Sequence, residues 1–286
     1  MSASAEARIA GTTRVAGVIG WPVEHSLSPA IHNAAFAAAA LDWTYVPLPV
    51  RPEDLVSAVT GLVALGFAGA NVTMPHKTEA ARLIEDRSED AEVLRAVNTI
   101  RVVGDRLEGH NTDVGGFDRF LRRDAGFEPK GRSALLYGAG GAARACALAL
   151  ARAGIRTLTV AARVQSRATP LAAIVEPLGV SMTVVDVSRV DDLDVDLVVN
   201  ATPVGTSADP EHRSLPVLHD GVLVVDLLYD PPSTPLQRRA REAGATVFGG
   251  IGLLVEQAAL SFELWTGTPA PLEVMSAAAL AALAAR

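Results

Sequence analysis

Two charged side chains stand where a fold alone gains little from them, and together they could exchange a proton with a substrate. Lys77 falls in the first turn of a helix expected from Pro75, at the end where the helix dipole disfavours a cation. Asp113 closes the triplet Asn111-Thr112-Asp113 at a strand-to-helix corner. A carboxylate there can simply cap the helix. It could also face Lys77 across a cleft, holding the ammonium and tuning its proton exchange. Ser26 and Ser28 lie on the loop that leaves the first strand and offer two hydroxyl donors to a carboxylate without adding charge. Ser28 precedes Pro29, and Thr73 precedes Pro75, so each is also a candidate helix cap. Asn71 and Asn98 end apolar strands, and Tyr229 and Gln257 could reach a hydroxylated substrate.

A second constellation suits a dinucleotide. Apolar residues 134–137 lead into Gly138-Ala139-Gly140-Gly141-Ala142-Ala143, followed by an Ala/Leu-rich helical run ending at Gly154. Strand, glycine turn and helix together make the G-x-G-x-x-(G/A) pattern specific. Gly138 permits the turn, Gly140 admits a pyrophosphate to the backbone, and Ala143 allows close helix–strand packing. The helix start favours an anion. The next strand, 158–163, closes with Arg163, and Arg167 follows one turn later. A guanidinium here suits a 2′-phosphate and can lie on adenine, which points to NADP(H) rather than NAD. Loops at 200–205 and 249–252, carrying Thr202 and Gly250, are placed to line a nicotinamide pocket.

The elements that must position these groups alternate. Strands are expected at 14–20, 43–50 and 69–72, with helices at 29–41, 52–65 and 75–86, then a hairpin over 97–109 and a helix at 114–125. This predicts a mainly parallel sheet covered by helices. From 134 the βα alternation resumes through strands at 158–163, 182–186, 197–200, 223–227 and 246–248, with helices at 166–178 and 235–243. The final stretch, 252–286, reads as helical with a break at 266–271 and is expected to return to the first domain. The predicted class is therefore α/β with two domains: residues 1–113 plus 250–286 for substrate, and a Rossmann domain over 114–249.

Composition bounds the rest. Of 286 residues, 49% are hydrophobic and 20% charged, enough for a sizeable core. A net charge of −7 argues against a nucleic-acid surface. The lone Cys146 sits among alanines and leucines and reads as a buried structural thiol. No run approaches a membrane span, and the first dozen residues lack the apolar core of a secretion signal, so a cytoplasmic enzyme is expected. No His/Cys/Asp cluster has ligand spacing, so no metal is expected.

In order along the chain, Gly20-x-Pro22-x-x-His25-Ser26-x-Ser28-Pro29-x-x-His32-Asn33, Asn71-Val72-Thr73-x-Pro75-x-Lys77, Ala96-Val97-Asn98-Thr99, Asn111-Thr112-Asp113, the glycine turn, Asn200-Ala-Thr202-Pro203 and Gly250-x-Gly252-x-Leu254-Val255-x-Gln257 resemble the shikimate dehydrogenase family over nearly the whole chain. The resemblance implies reversible NADPH-dependent reduction of 3-dehydroshikimate to shikimate in aromatic amino-acid biosynthesis. It implies that Ser26 and Ser28 bind the substrate carboxylate. Thr73, Asn98, Asp113, Tyr229 and Gln257 would surround the ring, and Lys77 and Asp113 would be the catalytic pair. The cofactor would meet Gly138, Ala139, Gly140, Gly141, Ala142, Arg163, Arg167, Thr202, Leu227 and Gly250. Whether Lys77 transfers the proton or mainly positions substrate stays open, as does monomer or homodimer.

One departure stands out. NADP-specific members usually carry Asn-Arg-Thr-x-x-Arg where this chain has Ala162-Arg163-Val164-Gln165-Ser166-Arg167. Both arginines are kept and two neutral donors are lost, so weaker discrimination against NAD is expected. A relative oxidising quinate as well as shikimate is the near alternative, and a non-catalytic dinucleotide-binding sensor the distant one.

Overall fold

The computed structural model describes residues 9–206, 215–231 and 233–286. The chain divides into two compact units: Met1–Thr112 with Gln257–Arg286, and Asp113–Glu256. Asp113 and residues 250–256, placed with the first domain from the sequence, thus fall with the second unit.

The first unit begins with β1 (Arg14–Gly20), α1 (Ser28–Ala38), β2 (Trp43–Pro49), α2 (Leu55–Ala64) and β3 (Gly69–Val72). It continues through α3 (Lys77–Leu83), β4 (Asp86–Arg87), α4 (Glu89–Leu94), β5 (Thr99–Val103) and β6 (Arg106–His110). Its sheet runs β2-β1-β3-β5-β6-β4. Pairing is parallel across β2-β1-β3 and antiparallel through the β5–β6 hairpin. The fully buried β3, Gly-Ala-Asn-Val, sits between them. Ile19, Leu55, Val59, Val72, Ile84 and Ile100 pack one core face.

Two helical expectations need correction. The third helix starts at Lys77, because Thr73–His76 forms a turn in which the His76 amide donates to the Thr73 carbonyl at 3.0 Å. The helix stops at Leu83, and β4 and α4 follow, absent from the sequence reading. Ser88 caps α4 by accepting from the Ala91 amide.

The second unit holds most of α5 (Thr112–Arg123), then β7 (Ser133–Tyr137), α6 (Gly141–Arg152), β8 (Thr157–Ala161), α7 (Gln165–Ala168) and α8 (Ala172–Val175). After these come β9 (Ser181–Val185), β10 (Leu197–Asn200), β11 (Leu223–Asp226), α9 (Pro235–Glu242) and β12 (Thr246–Phe248). The single helix expected over 166–178 is instead four short pieces, two of them 3-10 turns that open at Thr169-Pro170 and Glu176-Pro177. Proline lacks the amide that a helix interior needs. All strands run parallel in the order β12-β11-β10-β7-β8-β9, the doubly wound arrangement, and Cys146 is buried in α6 as expected. The last helices, α10 (Ile251–Thr266) and α11 (Leu272–Ala284), carry the chain back, and from Gln257 onward it belongs to the first unit. There the Trp265 indole donates to the Ile100 carbonyl at 2.9 Å. No helix among the described residues is long and apolar enough to cross a membrane.

His32, on α1, is wholly buried and stacked on Tyr45 with ring centroids 4.4 Å apart. Neither ring nitrogen has a hydrogen-bond partner among the described residues. Burial lowers its pKa from 6.5 to about 3, against a smaller opposing pull from the Asn71 side chain. The unfolded chain therefore binds a proton below pH 6.5 that the native state refuses until about pH 3. Stability from this residue is intact above pH 6.5 and falls by up to about 1.4 kcal/mol per pH unit below it. Urea unfolding of wild type and His32→Phe at several pH values checks this: the stability difference should tilt toward the variant as pH falls, and parallel profiles would reject it.

Candidate active site

In the first unit the expected site residues converge at the C-terminal ends of β1 and β3, where open α/β sheets bind ligands. The Thr73 amide donates to the Ile19 carbonyl at 2.9 Å, and the Trp21 amide to the Met74 carbonyl at 3.1 Å, so the two strand-end loops run side by side. Ser28 is the first residue of α1, whose N-cap is Leu27, and it makes no cap bond. Thr73 likewise does not cap α3. Capping therefore does not account for either hydroxyl. Ser26 accepts from the Ser28 amide at 3.2 Å, and Ser28 itself lies beside the Tyr45 phenol.

Lys77 and Asn98 are brought to the same end. The Lys77 carbonyl accepts from the Val97 amide at 2.9 Å, while the Asn98 carbonyl accepts from the Val72 amide at 2.7 Å. Lys77 is half-buried at the start of α3, and Asn98 is 1% exposed. Gln257 belongs to this unit, and its carbonyl accepts from the Ser261 hydroxyl at 3.1 Å. Asp113 and Tyr229 belong to the second unit, both half-buried.

The sequence reading missed what lies underneath. Asn71, singled out but given no role, joins Tyr45, Thr99 and Ser261 in a buried polar network that also reaches Asn98 and Thr112. Ser261 follows Gln257 by one helical turn, the one local signal that it shares Gln257's face.

In the second unit a groove of about 580 Å³ lies at the ends of β7, β8 and β10, the point where the strand order reverses. Gly138, Ala139, Gly140, Arg163, Arg167 and Thr202 line it. Gly138 has φ +104°, and a Cβ there would lie 3.0 Å from the Ala201 carbonyl oxygen, so the turn needs glycine on both counts. A Cβ at Gly140 or Gly141 would meet nothing within 4 Å, which leaves the backbone at the start of α6 open to a ligand. Arg163 and Arg167 are exposed, Ala162 is buried, and Val164 is exposed on the groove wall. This donor set fits a dinucleotide phosphate, with backbone N–H groups at one end and two guanidinium groups at the other.

Thr202 is positioned by Asn200, whose side-chain oxygen accepts from the Thr202 hydroxyl at 2.7 Å and its amide at 3.1 Å. The Asn200 amide donates to Asp226 at 2.9 Å. Asp226 is fully buried, and burial pushes its carboxyl up, opposed by hydrogen bonds from Thr234, the Leu228 amide and Asn200. Gly250 is held by packing: a Cβ there would come within 2.0 Å of the Leu227 carbonyl oxygen. The two residues are thus neighbours through their backbones.

The family model for the shikimate dehydrogenase substrate binding domain matches residues 18–100, and that for the shikimate 5'-dehydrogenase C-terminal domain matches 250–280. The shikimate dehydrogenase (NADP(+)) of Methanopyrus kandleri is 45% identical over 94% of this chain and 95% of its own. The Thermus thermophilus shikimate 5-dehydrogenase, solved with NADP(H) and shikimate, is 37% identical with a TM-score of 0.84 over 94% of this chain and 100% of that one. A quinate dehydrogenase from Corynebacterium glutamicum, solved with NAD, is 33% identical with a TM-score of 0.87 over 94% and 99%. Ordered motifs, two sheets of these topologies and full-length similarity agree: the chain belongs to the shikimate dehydrogenase family.

Proposed function

We propose that this chain catalyses the reversible NADPH-dependent reduction of 3-dehydroshikimate to shikimate, as a cytoplasmic enzyme of aromatic amino-acid biosynthesis. The observation that carries the reading is the gathering of Ser26, Ser28, Thr73, Lys77 and Asn98 at one end of β1 and β3, in a chain of this family. Ser26 and Ser28 hold the substrate carboxylate by hydroxyl donors. Thr73, Asn98, Tyr229 and Gln257 address its ring hydroxyls and so select a polyol ring. NADPH, when bound by the Gly138–Ala142 turn, Arg163 and Arg167, with Thr202, Leu227 and Gly250 around its nicotinamide, supplies the hydride. Lys77 and Asp113 are the catalytic pair. The ammonium of Lys77 stabilises the negative charge that grows on the carbonyl oxygen, and the pair delivers or relays the proton that makes the alcohol.

The quinate reading has one relative in its favour, the NAD-bound quinate dehydrogenase. Arg163 opposes NAD use, because an NAD site usually places Asp or Glu at that position to accept from the ribose hydroxyls. Initial rates of shikimate and quinate oxidation, each with NADP+ and NAD+, test the proposal. Turnover mainly of shikimate with NADP+ is expected, with a measurable NAD+ rate because Ala162 and Val164 lack donors. Comparable quinate oxidation with NAD+ would transfer the chain to the second reading, and no turnover in any pairing would favour a sensor.

A further inference from the structure

Three backbone groups set the direction of the amide hydrogen bonds in the polar network beneath Asn98, within which the hydroxyls of Thr99, Thr112 and Ser261 also meet one another at 2.9–3.3 Å. The Asn98 backbone carbonyl can only accept, and one end of the Asn71 amide lies 3.3 Å from it. That end is therefore the NH2, which also donates to Ser261 at 2.9 Å and Thr99 at 3.0 Å. The Asn71 oxygen then faces the Tyr45 hydroxyl at 2.7 Å, so the phenol must donate. Burial keeps it able to, since desolvation raises the Tyr45 pKa well above 10. The second anchor is the Gln257 carbonyl, which takes the Ser261 proton and leaves the Ser261 oxygen to accept from Asn71.

The third anchor is the Thr112 amide, which can only donate, at 2.7 Å, to the Asn98 side-chain oxygen. Thr99, already accepting from Asn71, shares its own proton between that same oxygen at 3.0 Å and the Ser261 hydroxyl at 2.9 Å. The Thr112 amide, with Thr99 beside it, holds the Asn98 side-chain oxygen, which leaves the NH2 as the donor end of the residue, in contact with Thr112 Oγ1 at 3.0 Å. Tyr45, Asn98, Thr99 and Ser261 are all at most 2% exposed, so water does not compete for these bonds.

We infer that Tyr45 is a positioning residue: by donating to the Asn71 oxygen it completes and stiffens the backbone-anchored network on which Asn98 rests as it meets substrate with its N–H donors. The inference rests on the reading above that Asn98 contacts the shikimate ring. A donor there suits a ring hydroxyl or carbonyl oxygen and penalises a ligand that offers only a donor of its own. Without the phenol proton the buried Asn71 oxygen loses the donor that satisfies it, and the hold of Asn71 on Thr99, and through Thr99 on Asn98, is loosened.

Steady-state shikimate oxidation with NADP+ on wild type, Asn98→Ala, Tyr45→Phe, Thr99→Val and Thr99→Ser tests this. Tyr45→Phe and Thr99→Val should each raise KM for shikimate about tenfold, the weight of one charge-free hydrogen bond. KM for NADP+ should stay within about twofold, an allowance for coupling between distant sites. Thr99→Ser, which keeps the hydroxyl, should recover most of the loss. The double variant Tyr45→Phe/Thr99→Val should be less than additive, because both act through one chain of bonds. If Asn98→Ala raises KM for shikimate while Tyr45→Phe and Thr99→Val leave it at wild type, the inference fails and the site reading survives. If both KM values rise together and Thr99→Ser recovers nothing, Tyr45 merely supports the fold and the inference is overturned. If Asn98→Ala itself leaves KM for shikimate unchanged, the site reading fails and takes the inference with it.

Discussion

Lys77→Ala is expected to lower kcat for shikimate oxidation by about 10²–10⁴-fold, the range for loss of a positioned proton-transfer group. KM for shikimate should change far less, because the ammonium matters most once charge has built on the reacting oxygen. Lys77 is half-buried at the first residue of α3, with its carbonyl tied to Val97, so its backbone is fixed whatever the side chain does. Truncation therefore removes the ammonium while leaving its platform. Lys77→Arg separates the two roles left open for this residue. A guanidinium keeps the charge and does not give up a proton at neutral pH. Recovery to within about tenfold of wild type would assign Lys77 to charge stabilisation and positioning, and a rate as low as that of Lys77→Ala would assign it to proton transfer. Retention of full kcat in Lys77→Ala would remove Lys77 from the mechanism.

Arg163→Ala is expected to raise KM for NADP+ by about 10–100-fold, as the loss of a charge-assisted phosphate contact worth roughly 1.5–3 kcal/mol. KM for NAD+ should stay within a few-fold, since NAD+ carries no 2′-phosphate for the guanidinium to meet. The ratio of kcat/KM values with the two cofactors is the measurement, and equal losses with both would show that Arg163 stacks on adenine more than it binds phosphate. The same ratio tests the neighbours. Val164 is exposed on the groove wall, so Val164→Thr places a hydroxyl there at little structural cost and should raise NADP+ preference. Ala162 is 7% exposed and its amide donates to the Val185 carbonyl at 3.1 Å, so Ala162→Asn must accommodate an amide in a crowded place. It should bring the smaller gain.

The glycine turn and the strands around it were legible because their cause is local. A run of apolar residues, a glycine held at φ +104° and an alanine-rich helix lie within about twenty positions of one another. The split of 166–178 was written there too, in Pro170 and Pro177, but helical composition between them outweighed it. The two-residue β4 and six-residue α4 carry too few apolar positions to show a period, and Ser88 is their one signal. Ser26, Ser28, Thr73 and Lys77 could be singled out because each is a polar residue in a loop or helix start beside an apolar strand. The network could not be read in this way. Asn71 meets Ser261 across 190 positions, and nothing near either residue names the other.

That last bond spans the chain's order of synthesis. Residues 113–256 form a continuous unit, while the first unit takes its closing pieces from Gln257–Arg286. A growing chain therefore holds everything the dinucleotide groove needs before it holds everything the other sheet needs. Until Ser261 and Trp265 emerge, Asn71 and Thr99 lack the Ser261 hydroxyl that each meets at 2.9 Å, and the Ile100 carbonyl lacks its indole donor. The second-made unit is thus the one that begins the chain, and the segment most exposed to misassembly during translation is the N-terminal sheet waiting for its own C-terminus.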